Sequence, residues 1–358
     1  MRVLVAWAND VTMNLGVRAL GQGSEDLLRT LWPDAEFVFM NYGQRPAEVP
    51  WGRPRSLLRE RVTGRLGMMR WFRDFDLVWD TRSGDSFADI YGLPRHTIMS
   101  MVHEFAAQAD VPIVLAPQTI GPFGTVRGSA VARRSLRRSA LAFARDPLSA
   151  EAAERLGRPV DATTSDLVFG IAQPEPGLPR DVLLNISGLL WEPNPHVDAE
   201  TYRENVRRVI DGLLADGREV TLLPHLLDSP GPDNDVPVSH RLVHEYAGRI
   251  DIHVPRDLDD ARSAISTAQL VIGARMHACL NALSTGTPAV AMAYSRKFAP
   301  LMESVGWHRV VSLSGSEDVA GDVLTHTRAG GLAEQAIAAK HRGRAMLDPV
   351  TSRLSEML

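Results

Sequence analysis

The residues best suited to chemistry fall in one short run. Gly273-Ala274-Arg275-Met276-His277 follows the apolar stretch Leu270-Val271-Ile272 and opens what reads as a helix. A guanidinium offers a planar pair of donors to carboxylate or phosphate oxygens, and an imidazole exchanges protons near neutral pH. Two residues apart at a helix start, Arg275 and His277 therefore combine an anion clamp, the partial positive charge of the helix end and a proton carrier. Gly286-Thr287-Pro288 then turns the chain back into a strand. A second imidazole, His225, ends Leu222-Leu223-Pro224-His225 and leads into a loop with Asp228, Asp233 and Asp235. No recognised metal-ligand spacing links these groups. No metal is expected, and His225 reads as the second proton carrier.

Weaker candidates stand at other strand ends. Asn14-Leu15-Gly16 opens the first helix, where a glycine allows close backbone approach and free amides favour an anion. Thr81-Arg82-Ser83-Gly84-Asp85-Ser86-Phe87-Ala88-Asp89 packs an arginine and two carboxylates around a turn. Turn chemistry explains Ser83, Gly84 and Asp85 but not the flanking Arg82 and Asp89, so Asp85 and Asp89 are expected to bind sugar-type hydroxyls. Gln118 is a polar group between apolar residues and prolines, presented by a rigid loop, and Arg145 precedes the helix cap Asp146 or Ser149. Lys297, in Tyr294-Ser295-Arg296-Lys297-Phe298, adds cationic character at a later turn. The single cysteine, Cys279, lies in an apolar helical run and reads as core.

The elements that must position these groups alternate. Strand patterns fall at 2–7, 36–41, 76–80, 112–116, 141–145, 165–169, 181–187, 219–225, 250–254, 269–273, 288–293 and 309–312. Helical patterns fall at 16–31, 96–109, 126–139, 148–156, 199–215, 237–248, 257–267, 276–285, 296–305 and 329–345. Such alternation predicts an α/β fold with mostly parallel sheets. The run 171–180 carries three prolines and a glycine and predicts a boundary between two Rossmann-like domains, 1–172 and 180–358, facing a cleft. The last helix is expected to pack back on the first domain. The Pro/Arg stretch 45–70 fits no regular element and is expected to form a mobile loop over that cleft.

Composition narrows the function classes. The 358 residues carry 39 basic and 43 acidic side chains, a net charge of −4, which does not describe a nucleic-acid binder. All but two of the basic residues are arginine, the exceptions being Lys297 and Lys340. No run approaches the ~18 apolar residues of a membrane span. The apolar N-terminal run is too short for a signal peptide and fits a buried first strand. A cytoplasmic protein is expected, possible contact with the inner membrane face resting on the arginine-rich stretch 127–138.

Taken together, these residues resemble the polysaccharide pyruvyl transferase family. The likeness is carried by Gln118-Thr119-Ile120-Gly121-Pro122, Ala144-Arg145-Asp146-Pro147-Leu148-Ser149, Ser165-Asp166-Leu167-Val168-Phe169 and Leu222-Leu223-Pro224-His225. Above all it is carried by Gly273-Ala274-Arg275-Met276-His277 with Gly286-Thr287-Pro288. Two features depart from the family pattern: Val17 stands where Asn-x-Gly-Asp ends, and Arg82-Ser83-Gly84-Asp85 replaces a Gly-Gly-Gly turn.

The resemblance implies a GT-B-like fold. It also implies transfer of the enolpyruvyl-derived unit of phosphoenolpyruvate to a sugar, on a polysaccharide, glycolipid or glycan precursor, as a pyruvate ketal. Phosphoenolpyruvate is then a co-substrate and no cofactor is needed. On this reading Arg275 and Arg145, with Met276 and Lys297, hold the donor's anions. His277, or second His225, carries the proton, and Asn14, Gly16, Arg82, Asp85, Asp89 and Gln118 bind the acceptor. The alternatives are a GT-B glycosyltransferase using a nucleotide sugar and a non-catalytic sugar- or phosphate-binding protein.

Overall fold

The computed structural model describes residues 1–9, 11–41, 54–228, 231 and 233–357. The first sheet is built from β1 (Arg2–Ala6), β2 (Glu36–Met40), β3 (Leu77–Asp80), β4 (Ile113–Gln118), β5 (Leu141–Ala144) and β6 (Ala162–Thr163). The second is built from β7 (Arg180–Asn185), β8 (Val220–Leu222), β9 (Asp251–Ile252), β10 (Ala268–Gly273), β11 (Ala289–Ala293) and β12 (Val310–Ser312). Their orders are β2-β1-β3-β4-β5-β6 and β12-β11-β10-β7-β8-β9, and the paired strands run parallel. Helices covering both faces demand apolar residues on every strand position. Val3, Leu4 and Val5 in β1 and Val271 and Ile272 in β10 are accordingly fully buried.

Each order reverses direction once, between β1 and β3 in the first sheet and between β7 and β10 in the second. Beyond the carboxyl ends of strands at such a reversal, the flanking connections leave on opposite faces and open a crevice for ligands. In the second sheet this places Asn185, the last residue of β7, in register with Gly273, the last residue of β10.

Contacts group the chain into two units. One comprises Met1–Thr12, Leu20–Ile171 and Ala345–Leu358; the other comprises Met13–Ala19 and Ala172–Arg344. The proline-rich segment after Ile171 is strapped to the second unit. Arg262 Nη2 donates to the Ala172 carbonyl, Ser263 Oγ to that of Glu175 and Thr267 Oγ1 to that of Leu178.

Several local expectations need correction. The strand expected at 165–169 is a short 3-10 turn, Leu167–Gly170, because the Asp166 side chain accepts from Val168 N and diverts the backbone. The strand lies earlier, at Ala162–Thr163. Of the loop expected at 45–70, residues 45–53 lie outside the described residues. The remainder forms helices Pro54–Thr63 and Met68–Phe72, the latter burying Met68 and Phe72. Helices Gly188–Trp191, Val319–Thr327 and Asp348–Met357 lie outside the expected helical patterns. Among the described residues no helix is long and apolar enough to cross a membrane.

Candidate functional site

The crevice end of the second sheet is organised around a carboxylate. Asp235 is fully buried at the first position of helix Asp235–Glu245. It accepts from Gly188 N at 2.9 Å, His225 N at 3.1 Å and Leu226 N at 3.0 Å, and from Asn185 Nδ2 at 3.3 Å. It also takes Arg275, with Nη2 at 2.7 Å and Nε at 3.2 Å. Asn185 completes the frame by accepting from Arg275 N at 2.9 Å and donating to the Leu223 carbonyl at 3.0 Å. The ends of β7, β8 and β10 are thereby tied to one carboxylate and one amide. Burial works against the charge of Arg275, and the neighbouring Asp235 outweighs it, so the guanidinium stays charged.

This modifies the expected clamp. Arg275 Nη2 also donates to the Asp233 carbonyl, so two of its three nitrogens are engaged by the protein, and its side chain is 15% exposed. What remains for an anion is the Nη1 edge together with the helix start. Helices beginning after Thr125, Asp146, Asp198, Asn234, Asp257 and Asp318 are capped by those side chains. Helix Met276–Thr285, which begins after Arg275, has no capping side chain. Its first-turn amides keep the partial positive charge that a cap would neutralise.

His277 is half-buried in that first turn, beside the half-buried Met276. Its ring packs on Gly16: a β-carbon there would stand 2.8 Å from Nδ1 and 3.0 Å from Cγ. Asn14 and Gly16, expected on the acceptor side, thus belong to the second unit. The cause is backbone pairing. Leu15 N donates to the His225 carbonyl at 3.1 Å, Leu227 N donates to that of Met13 at 2.7 Å, and Asn14 bridges Leu226. Asn14 Oδ1 then accepts from Gly16 N and Val17 N, starting the first helix without needing an aspartate at position 17.

His225 meets a physical obstacle as a proton carrier. It is 2% exposed, and burial, reinforced by the nearby His277 and Arg275, pushes its pKa down to about 3. Asn281 Nδ2 donates to its Nε2 at 3.1 Å and to the His277 carbonyl at 2.8 Å. A neutral ring with that lone pair occupied is suited to orienting its neighbours. Asp235 is occupied by Arg275, and among the described residues no cluster of three His, Cys, Asp or Glu side chains could hold a metal ion. Ser229, Pro230 and Pro232 of the same loop lie outside the described residues.

Three further groups sit here without a signal in the sequence. The Tyr202 hydroxyl accepts from Ser187 N at 3.1 Å, and burial raises its pKa. Ser187 Oγ is buried with no hydrogen-bond partner among the described residues. Asn281, fully buried, is a plain helical residue by pattern. Cys279 is also fully buried; burial raises its thiol to about 12, and it fills the space left by Gly273, where a β-carbon would stand 2.8 Å from Sγ. Lys297 is the residue before helix Phe298–Ser304, and the neighbouring Tyr294 ring packs on His196 with centroids 5.2 Å apart.

The first unit treats its predicted residues differently. Arg82 is fully buried: Nε lies 2.9 Å from Asp80 Oδ2, Nη1 donates to Ser100 Oγ, and the guanidinium stacks 4.6 Å above Phe87. Burial alone would raise the Asp80 pKa, but Arg82 and His103 outweigh it and hold the carboxylate charged. Arg145 is equally buried, with Nη1 2.5 Å from Asp166 Oδ2 and Nε 3.0 Å from Thr119 Oγ1. Asp89 anchors helix Val126–Arg138, accepting from Gly124 N, Thr125 N and Thr125 Oγ1 at 2.7–2.9 Å. Arg82, Arg145 and Asp89 thus each find partners within the first unit. Gln118 donates Nε2 to the Asp80 carbonyl at 3.1 Å, while its Oε1 is buried without a hydrogen-bond partner among the described residues. Asp85 is half-buried and accepts from Tyr91 Oη at 2.7 Å.

Two parallel α/β units of six strands each, one with an arginine and a histidine at its topological switch point, define a GT-B-like fold. Solved structures of that fold agree. The UDP-GlcNAc 2-epimerase from Neisseria meningitidis, bound to UDP-GlcNAc, superposes with a TM-score of 0.60 at 11% identity, covering 99% of this chain and 100% of its own. The UDP-GlcNAc 2-epimerase from Methanocaldococcus jannaschii gives 0.58 at 10% identity, covering 98% and 100%. The spinosyn rhamnosyltransferase SpnG gives 0.54 at 15% identity, covering 99% and 100%. Identities this low establish the fold alone. Residues 14–296 match the family described as polysaccharide pyruvyl transferase, and the chain belongs to that family. No curated protein matches the sequence significantly.

Proposed function

We propose that this protein transfers the enolpyruvyl-derived unit of phosphoenolpyruvate to a pair of hydroxyls on a sugar, forming a pyruvate ketal and releasing phosphate. The observation that carries the reading is the uncapped start of helix Met276–Thr285, flanked by Arg275 and His277, in a member of this family. Phosphoenolpyruvate brings a phosphate and a carboxylate, and backbone amides at a helix start with a guanidinium edge suit such anions. Met276 is the first residue of that helix, and Lys297 precedes helix Phe298–Ser304.

In this scheme His277 delivers a proton to the methylene carbon, giving an oxocarbenium-like centre at C2. One sugar hydroxyl adds to C2. A neighbouring hydroxyl then displaces the phosphate; one hydroxyl proton restores His277 and the other leaves with the phosphate. Positioned acid–base catalysis of this kind contributes roughly 10²–10⁴-fold. His225 and Asn281 hold the turn that carries His277. In the first unit, Gln118 and Asp85 are the acceptor-binding groups of the scheme, Gln118 because its buried Oε1 has a lone pair to offer.

Calorimetric titration of the wild type with phosphoenolpyruvate, beside a set of nucleoside diphosphates, tests the donor. Phosphoenolpyruvate should bind, and His277→Ala should bind it while losing phosphate release with an acceptor panel. Tight nucleoside diphosphate binding with no response to phosphoenolpyruvate would assign the protein to nucleotide-sugar chemistry instead.

A further inference from the structure

We propose that Arg262 and Asn281 are positioning residues that fix the proton of the His225 imidazole on Nδ1. Arg262 stands on helix Leu258–Ser266 and is 1% exposed. Its Nη1 lies 2.9 Å from Asn281 Oδ1 and 2.8 Å from Ser284 Oγ. A guanidinium only donates. The Asn281 atom facing it must therefore be the carbonyl oxygen, which turns the amide nitrogen the other way. That nitrogen donates to the His277 carbonyl at 2.8 Å and to His225 Nε2 at 3.1 Å. A donor at Nε2 requires a lone pair there, so neutral His225 carries its hydrogen on Nδ1.

Charges of both signs surround the ring, and those that act most on it favour its neutral form. Arg275 and His277, from the turn after β10, both oppose a positive charge on His225. The Asp235 carboxylate faces its backbone amide at 3.1 Å and is shared with Arg275. Asp228 and Asp233 lie on its own loop, and the Leu15 amide closes the other side through the His225 carbonyl. A buried cation two hydrogen bonds away thus sets which nitrogen of His225 is protonated. Through the same amide it also supports the first turn on which His277 sits. The catalytic consequence rests on the proposed function, but the proton's location does not.

Nitrogen-detected imidazole spectra of labelled, ligand-free protein read the tautomer directly. In the wild type His225 should show an unprotonated Nε2 down to at least pH 5. Asn281→Asp keeps the shape but turns an acceptor toward Nε2. The proton should move to Nε2, the His225 titration midpoint should rise by at least one pH unit, and the pH profile of kcat/KM should gain a second ionisation. Arg262→Met should leave Asn281 free to rotate and give a mixture of both tautomers. A wild-type His225 protonated on Nε2 overturns the proposal without any variant. So does a folded Asn281→Asp protein whose imidazole spectrum matches the wild type. If the tautomer behaves as expected but phosphoenolpyruvate does not bind, the donor assignment fails and this inference stands.

Discussion

Gly16 and His277 meet so closely that the missing side chain is a requirement of the site: a β-carbon on Gly16 would stand 2.8 Å from the Nδ1 atom of His277 and 3.1 Å from Asn14 Oδ1. The obstacle is a side chain on one side and the helix-starting Asn14 on the other. An alanine would be accommodated by turning the imidazole out of place rather than by unfolding the helix. Gly16→Ala should therefore lower turnover at least tenfold while changing stability by no more than about 1 kcal/mol, since alanine favours the helix by a similar amount. Steady-state rates beside thermal denaturation separate the two. Equal, small effects on both would show that the ring's position does not matter.

Arg275 and Asp235 make the opposite kind of prediction, because their link serves the fold as well as the site. Removing one member of a buried pair leaves an uncompensated charge, which typically costs 3–5 kcal/mol. Arg275→Ala should lose stability on about that scale, since Asp235 is fully buried. Asp235→Asn should lose somewhat less, because an amide still accepts from the His225 and Leu226 backbone. Urea titration of both variants and of the double variant measures the coupling. Additive losses would mean the pair contributes nothing as a pair.

Buried neutral histidines give the protein an acid limit. Burial, with the nearby Arg82, lowers the His96 pKa to about 4, and His225 is lowered to about 3. Both lie below the unfolded value near 6.5. The unfolded chain therefore binds more protons between these values, and the stabilisation, complete above pH 6.5, is lost as the pH falls toward 4. Each histidine should contribute a loss on the order of 2 kcal/mol by pH 5. His96→Phe should flatten part of that slope, its ring joining Phe87 and Phe123. An unchanged pH dependence of the urea midpoint would exclude His96 as a source.

The fold was legible because its signal is repetitive. Each buried parallel strand is a short apolar run, and each helix has a periodic face, so the strand and helix patterns fall close to the observed elements across both sheets. The misses have local causes: Asp166 bends 165–169 into a turn by capping Val168, and Ala162–Thr163 is too short to show a period. The second-unit site was legible in part, since Arg275 and His277 follow a strand directly. What no pattern carries is the partner of each charge. Asp235 and Arg275 are forty residues apart, and nothing local tells an arginine aimed at a ligand from one aimed at a buried carboxylate. Arg82 and Arg145 look alike in sequence to Arg275, yet each finds its carboxylate inside the first unit.

Arg145 allows the clearest separation of fold from site. Its guanidinium is held by Asp166 at 2.5 Å and Thr119 at 3.0 Å, with Asp166 itself fully buried and capping the following turn. Taking away the arginine strands the carboxylate, so Arg145→Met should cost about 3–5 kcal/mol. Arg145→Lys should cost less, because it keeps the charge but not the forked geometry. If the residue serves the fold alone, the remaining folded protein binds phosphoenolpyruvate within twofold of the wild type. A tenfold loss of affinity in Arg145→Lys with an unchanged urea midpoint would instead return Arg145 to the donor site. Arg145 Nη2, which is buried without a hydrogen-bond partner among the described residues, would then be the atom that receives the anion.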